Sequence, residues 1–279
     1  MSLDKILGET INAAKRQIKP SQDDYILDGL LHCKKCGTPK QCRIRVCGRE
    51  KVVMCLCKCA TENRNQESEN ERKQRKLEYV KKLRKMGFPD EDVAKCTFAN
   101  DDKANKKATK LALRYYQKFD EMLKRGKGLL MFGNVGSGKT FLAACIANAL
   151  IDKGYACLVT NFARLTNTLG GMYEGKQDYI DGLNKFDLLV IDDLAAERDT
   201  EYMSEIVQNI IDSRYRSGKP VIITTNLAEK EIYNPSGIKK QRTYSRIVEM
   251  CFPAKIEFED RRKKKAAGDM KEIGKILGV

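Results

Sequence analysis

Gly133, Asn134, Val135, Gly136, Ser137, Gly138, Lys139 and Thr140 form a glycine, four residues, and then Gly-Lys-Thr. Glycines let such a loop wrap until successive backbone N–H groups point inward at an anion. A helix starting directly after it adds unpaired N–H groups and a positive dipole end. At this spacing Lys139 can reach the β- and γ-phosphates of a nucleoside triphosphate, and the Thr140 hydroxyl can ligate Mg²⁺. The context fits, because residues 129–132 read as a short buried strand and residues 141–151 as a helix. ATP with Mg²⁺ is the expected ligand.

Further along, Leu188-Leu189-Val190-Ile191 is an apolar run ending in Asp192 and Asp193. Asp192 is predicted to hold Mg²⁺ opposite Thr140, and Asp193 to orient and polarise the attacking water. The next apolar run closes on Thr224-Thr225-Asn226. A carboxamide there can hydrogen-bond the γ-phosphate or the attacking water, although asparagine also suits a turn or a helix cap. The order of the motifs favours the γ-phosphate. Tyr244-Ser245-Arg246 follows a helical stretch. An arginine can neutralise transition-state charge when a neighbouring subunit supplies it, and a surface salt bridge is the competing reading.

The cysteines point to a second chemistry. Seven of the 11 fall between Cys33 and Cys59. Without a signal peptide the expected compartment is the cytoplasm, where disulfides are disfavoured and a cluster of thiols suggests metal. Cys33-Lys34-Lys35-Cys36-Gly37 is a Cys-x-x-Cys knuckle, and Cys55, Cys57 and Cys59 supply a second half. Zinc takes four tetrahedral thiolates at a structural site. The predicted ligands are Cys33, Cys36, Cys55 and Cys57, with Cys59 a close substitute and Cys42 and Cys47 as bystanders. His32 adjoins Cys33 too closely to be expected among them.

These groups need a scaffold, and the chain supplies its pattern. Strand-like runs at 128–132, 156–160, 187–191, 221–225 and 255–258 alternate with helical periodicity, clearest over residues 200–217. Alternation of this kind predicts an α/β fold with a parallel sheet covered by helices on both faces, and ligands beyond the carboxyl ends of the strands. Four regions are expected: a zinc-binding module over 1–60, a charged helical linker over 61–95, an ATPase domain over 96–260 and a basic tail over 261–279. The chain has 279 residues, and 53 Lys and Arg against 38 Asp and Glu give a net charge of +15. That excess favours a polyanionic partner such as nucleic acid. No apolar stretch is long enough for a membrane span.

Taken in order, the phosphate loop, the Asp192-Asp193 strand, the Thr225-Asn226 strand end and the Ser245-Arg246 pair resemble the AAA+ ATPases. Within them the chain is similar to the DnaC/DnaI-type replicative helicase loaders and to the transposition helper IstB. That likeness covers roughly residue 98 to the C-terminus, including Thr160-Asn161-Phe162 and the stretch 192–198. It implies Walker A, Walker B and sensor 1 roles for Lys139, Thr140, Asp192, Asp193 and Asn226. It also implies an arginine finger at Arg246, with Arg242 as the fallback. Two departures stand out: Asp193 where many AAA+ proteins carry Glu, which implies slow hydrolysis, and too little chain after Phe258 for a full helical lid. The resemblance further implies a homo-oligomer, a hexameric replicative helicase as partner of the N-terminal module, and single-stranded DNA contacts near residues 160–179. Arg164 and Lys176 are candidates for those contacts. A phage or mobile-element origin is part of the same resemblance. An IstB-like helper directing a transposase to target DNA is the alternative.

Overall fold

The computed structural model describes residues 24–46, 48–194 and 201–277, so Cys47 and most of the stretch 192–198 lie outside the described residues. The chain divides into two compact units, residues 1–77 and 78–279.

In the first unit, β1 (Tyr25–Leu27) pairs antiparallel with β2 (Leu30–His32), and β3 (Gln41–Val46) with β4 (Arg49–Met54). A helix α1 (Lys58–Gly87) begins just after the second hairpin. The charged stretch expected as a helical linker is helical as far as Gly87. It carries i,i+4 pairs such as Lys73–Glu69 at 2.7 Å, which give an exposed helix modest local support.

The second unit continues with α2 (Glu91–Ala94), α3 (Lys106–Gln117), α4 (Phe119–Arg125), β5 (Gly128–Phe132) and α5 (Lys139–Lys153). Next come β6 (Cys157–Asn161), α6 (Phe162–Gly170), α7 (Lys176–Leu183), β7 (Leu188–Leu194) and α8 (Glu201–Ser217). The chain then forms β8 (Val221–Thr225), α9 (Glu229–Tyr233), α10 (Ile238–Met250), β9 (Cys251–Lys255) and α11 (Arg261–Leu277). Five strands form one sheet in the order β6-β7-β8-β5-β9, every pair parallel. The α/β class expected from the sequence is the one found.

Alternate side chains of each strand serve opposite faces. Leu129 and Met131 join Val190, Ile222 and the α5 residues Ile146 and Leu150 in one apolar layer. Leu130 and Phe132 join Ile191, Ile223, Phe162 and the α8 residues Ile206 and Ile210 in the other. All five residues of β5 are buried, as a strand sandwiched between two helical layers requires. Each fully buried Leu or Ile contributes about 1.5–3 kcal/mol.

One strand departs from expectation. The last strand is Cys251–Lys255, not 255–258. Pro253 disguises it, since proline cannot donate to a ladder. Among the described residues the strand pairs only with β5 and so lies at the sheet's edge, where a missing donor is tolerated.

Arg214 fastens the amino-terminal ends of β7 and β8. Its side chain is 1% exposed, and it donates to the carbonyls of Pro220 (2.6 Å), Phe186 (3.0 Å) and Asp187 (3.2 Å). Burial pulls its pKa down to about 10, which still leaves it charged at neutral pH. Replacing it removes a charged donor from three carbonyls at once, leaving Pro220 with the Leu189 N–H at 3.5 Å. Arg214→Ala is expected to lower the urea-unfolding free energy of this unit by about 3 kcal/mol or more. A change under about 1 kcal/mol would contradict that role.

Candidate nucleotide cleft and thiol cluster

The residues expected to hold phosphate sit where β5 ends and α5 begins. Gly133 runs so close to β9's continuation that an added Cβ would lie 2.2 Å from the Ile256 carbonyl oxygen. Gly138, at φ 93°, is the N-cap of α5 and offers no side chain to the first-turn N–H groups. By contrast α3 and α6 are capped by the Asn105 and Asn161 side chains. The start of α5 thus keeps its donors for an external anion.

Lys139 is 5% exposed, and its Nζ donates to the carbonyl oxygens of Gly133 (2.9 Å) and Asn134 (2.7 Å) and to Asn226 Oδ1 (2.9 Å). Beside it the Thr140 hydroxyl donates to Asp192 Oδ1 at 2.8 Å. A hydroxyl and a carboxylate facing each other across the loop are hard oxygen donors of the kind Mg²⁺ takes. Burial pushes the Asp192 carboxyl above the usual range, opposed by hydrogen bonds from Thr224 and Thr140. A nearby cation would favour the charged form, so the donor set fits the metal. Residues 135–141 line an open cleft of about 270 Å³ together with Asp193, Asn226 and Arg261. Lys139, Thr140, Asp192, Asp193 and Asn226, widely spaced in sequence, are therefore brought together.

Arg261 was not foreseen, because it opens a run of basic residues that reads as a solvated tail. Its backbone N–H donates to the Gly136 carbonyl at 3.2 Å. The guanidinium lies 3.1 Å from Asp102 Oδ1 and stacks over Phe258, and its Nε is buried with no hydrogen-bond partner. The only sequence signal was position: it closely follows the last strand, beyond its carboxyl end.

Arg246 is elsewhere. Its Nη1 pairs with Asp212 Oδ1, and the guanidinium lies 5.9 Å from the Tyr215 ring centre. It does not line the cleft of its own chain. Arg242, one turn earlier on α10, is exposed. Arg164 is exposed in the first turn of α6, and Lys176 Nζ lies 3.2 Å from Tyr202 Oη.

In the first unit, four thiols converge: the sulfurs of Cys33, Cys36, Cys57 and Cys59 all lie within 4.8 Å of one another. Cys33 and Cys59 are 3.6 Å apart, and Cys57 and Cys59 3.4 Å. Tetrahedral zinc with Zn–S bonds of about 2.3 Å needs sulfurs about 3.8 Å apart, so the set fits. The thiol of Cys55, expected as a ligand, lies outside this cluster, and that of Cys59 lies in it. The Cys55 backbone still pairs with Lys40 as an extension of the β3–β4 hairpin, and its thiol faces the Pro39 carbonyl at 3.6 Å. Cys59 instead sits in the first turn of α1, where side chains lean back towards the helix start and hence towards Cys57. The Thr38 hydroxyl anchors that start by accepting from the Lys58 N–H at 2.8 Å. Hydrogen bonds from Thr38 and Cys59 draw the Cys36 thiol down, while its bonds to Cys57, Cys33 and Cys36 push Cys59 up. Four crowded thiols cannot all ionise without a cation among them.

A family model described as "IstB-like ATP binding protein" matches residues 61–266. Among curated proteins, the chain is 26% identical over 210 residues to the replicative helicase loader DnaI of Bacillus subtilis, covering 68% of this chain and 66% of that one. It is 34% identical over 112 residues to a putative insertion sequence ATP-binding protein of Sinorhizobium fredii, covering 38% of this chain and 36% of the other. The chain therefore spans just under two thirds of the first relative and about a third of the second. A crystal structure of DnaI superposes with a TM-score of 0.51 at 26% identity, over 61% of this chain and 96% of that one. Among the described residues no helix is long and apolar enough to cross a membrane.

Metal analysis of purified protein checks the ligand assignment. Cys59→Ser is expected to lose stoichiometric zinc and Cys55→Ser to retain it; the reverse pattern would return Cys55 to the set.

Proposed function

The chain belongs to the IstB-like ATP binding protein family, and from that membership and its cleft we propose that it is an ATP-dependent loader of a hexameric replicative helicase onto single-stranded DNA. One observation carries the reading: Lys139, the Thr140–Asp192 pair, Asp193 and Asn226 meet in a single cleft at the carboxyl ends of β5, β7 and β8. The relative named as a helicase loader, aligned over most of the chain, supports the choice of task.

In this reading the 133–140 loop cradles the phosphates, and Lys139 neutralises the β- and γ-oxygens. Thr140 and Asp192 hold Mg²⁺, which supplies charge neutralisation at the transferring phosphoryl group. Asp193 orients the attacking water, Asn226 senses the γ-phosphate and Arg261 adds a second cation at the cleft. Arg246, or Arg242 in its place, reaches the nucleotide of a neighbouring subunit, so hydrolysis is slow until subunits assemble. For Arg246 this entails leaving its partly buried pair with Asp212.

The remaining regions take their parts around this switch. The module over 1–60 binds zinc through Cys33, Cys36, Cys57 and Cys59 and docks on the helicase. Residues 61–95 link it to the ATPase domain over 96–260, and 261–279 form a basic tail. Arg164 and Lys176, the latter beside Tyr202, contact the DNA backbone. ATP selects one conformation of the assembly, and hydrolysis releases the loader.

A second reading has one observation in its favour, the stronger local identity to the insertion-sequence relative. It shares the ATPase core and directs a transposase to target DNA. Pull-down with a hexameric replicative helicase, with and without ATP, followed by loading onto a DNA circle, separates the two. Nucleotide-dependent association and loading are expected. No association under any nucleotide condition would sink the loader and leave the transposition helper.

A further inference from the structure

Strands β7 and β8 fall out of step just where the cleft begins. Ile191 pairs with Ile223 and Leu194 with Thr225, so Asp192 and Asp193 together face the single residue Thr224. An extra residue on one strand is a bulge, which re-aims side chains at the end of a sheet. Here it leaves Asp193 at φ 56°, in the left-handed region, with its side chain lining the cleft. That backbone costs an L-residue about 1–2 kcal/mol, less for Asp than for most, and persists only where its surroundings hold it. The preference for short polar side chains in this region also gives a physical reason for Asp, not Glu, at this position.

Thr224 supplies the hold. It is 0% exposed, and its hydroxyl oxygen accepts the Asp193 N–H at 3.0 Å. The same hydroxyl donates to Asp192 Oδ1, the oxygen that Thr140 also reaches. A hydroxyl has one proton to give and lone pairs to receive, so both bonds form at once. Its neighbour closes the far side of the bulge: the Thr225 hydroxyl donates to the Leu194 carbonyl at 2.8 Å and accepts the Leu227 N–H at 3.1 Å. Asn226 then follows directly, bonded to Lys139.

We propose that Thr224 is a positioning residue for the nucleotide–metal site, its one hydroxyl aiming the Asp192 carboxylate at Thr140 and holding the bulge that turns Asp193 into the cleft. Valine has the same shape and neither donor nor acceptor. At position 224 it would strand the Asp193 N–H and remove one donor from Asp192, while serine keeps both bonds. The inference rests on reading the cleft as a Mg²⁺–ATP site.

The test uses the full chain and the variants T224V, T224A and T224S. Affinity for a fluorescent ADP is measured across a Mg²⁺ titration and in EDTA, alongside ATP turnover at saturation. T224V and T224A are expected to need several-fold more Mg²⁺ for half-maximal binding and to lose about tenfold or more in kcat, as loss of a hydrogen bond to a charged group implies. Their affinity in EDTA should stay within about twofold of the parent, and T224S should follow the parent throughout. The proposal is overturned if T224V keeps the parent's Mg²⁺ requirement and turnover, or if T224S is as defective as T224V. It is equally overturned if the losses in T224V and T224A extend to EDTA, since all three results assign the residue to packing. A parent chain that binds no nucleotide would instead sink the reading of the cleft, independently of Thr224.

Discussion

Everything at the cleft depends on the parallel register of the three central strands. Phe132 of β5 lies opposite Thr225 of β8, and Thr225 opposite Leu194 of β7. Three strand ends therefore finish level with one another, and each delivers its own chemistry at the same height. From β5 comes the phosphate loop, from β7 a pair of carboxylates, and from β8 two hydroxyls and a carboxamide. A slip of one residue along β8 would send Thr224 and Asn226 to the wrong faces, because strand side chains alternate. The apolar layers on both sides of the sheet hold that register, so the core and the site cannot be varied independently. The hydrogen bonds Lys139–Asn226 and Thr140–Asp192 are its local readout.

Much of this was legible in the residues themselves. A phosphate loop is nearly self-describing, since its glycines, lysine and threonine each answer a separate steric or electrostatic need. Buried parallel strands read as continuous apolar runs, which made β5, β7 and β8 easy to place. Other features depended on information that no local pattern carries. Pro253 masked the edge strand, because whether a strand is central or at an edge is a property of the sheet. Arg261 was hidden at the head of a basic run, and nothing local marks it as the residue that meets the loop at Gly136. Cys59, not Cys55, joins the thiol cluster, and a helix starts between them at Lys58, which no local pattern announces. The bulge at Asp192 and Asp193 was invisible for the same reason, as it exists only relative to β8.

The first unit illustrates the other way that a fold positions chemistry. Its strands are three to six residues long and largely exposed, so little apolar burial is available to hold them. The thiols of Cys33, Cys36, Cys57 and Cys59 converge within this unit, and a metal bound among them would contribute its binding free energy to folding. In the ATPase unit the order is reversed, with a packed core creating the site. One chain thus carries one unit with four converging thiols and little apolar burial, and another whose cleft is built on a packed core.

Calorimetric titration of Mg²⁺–ATP into the full chain and into Lys139→Ala tests the central claim most directly. The expected result is saturable binding of one nucleotide per chain that the substitution abolishes, while the zinc content stays unchanged. Absence of binding by the parent, or binding that survives loss of Lys139 without weakening, would contradict the account.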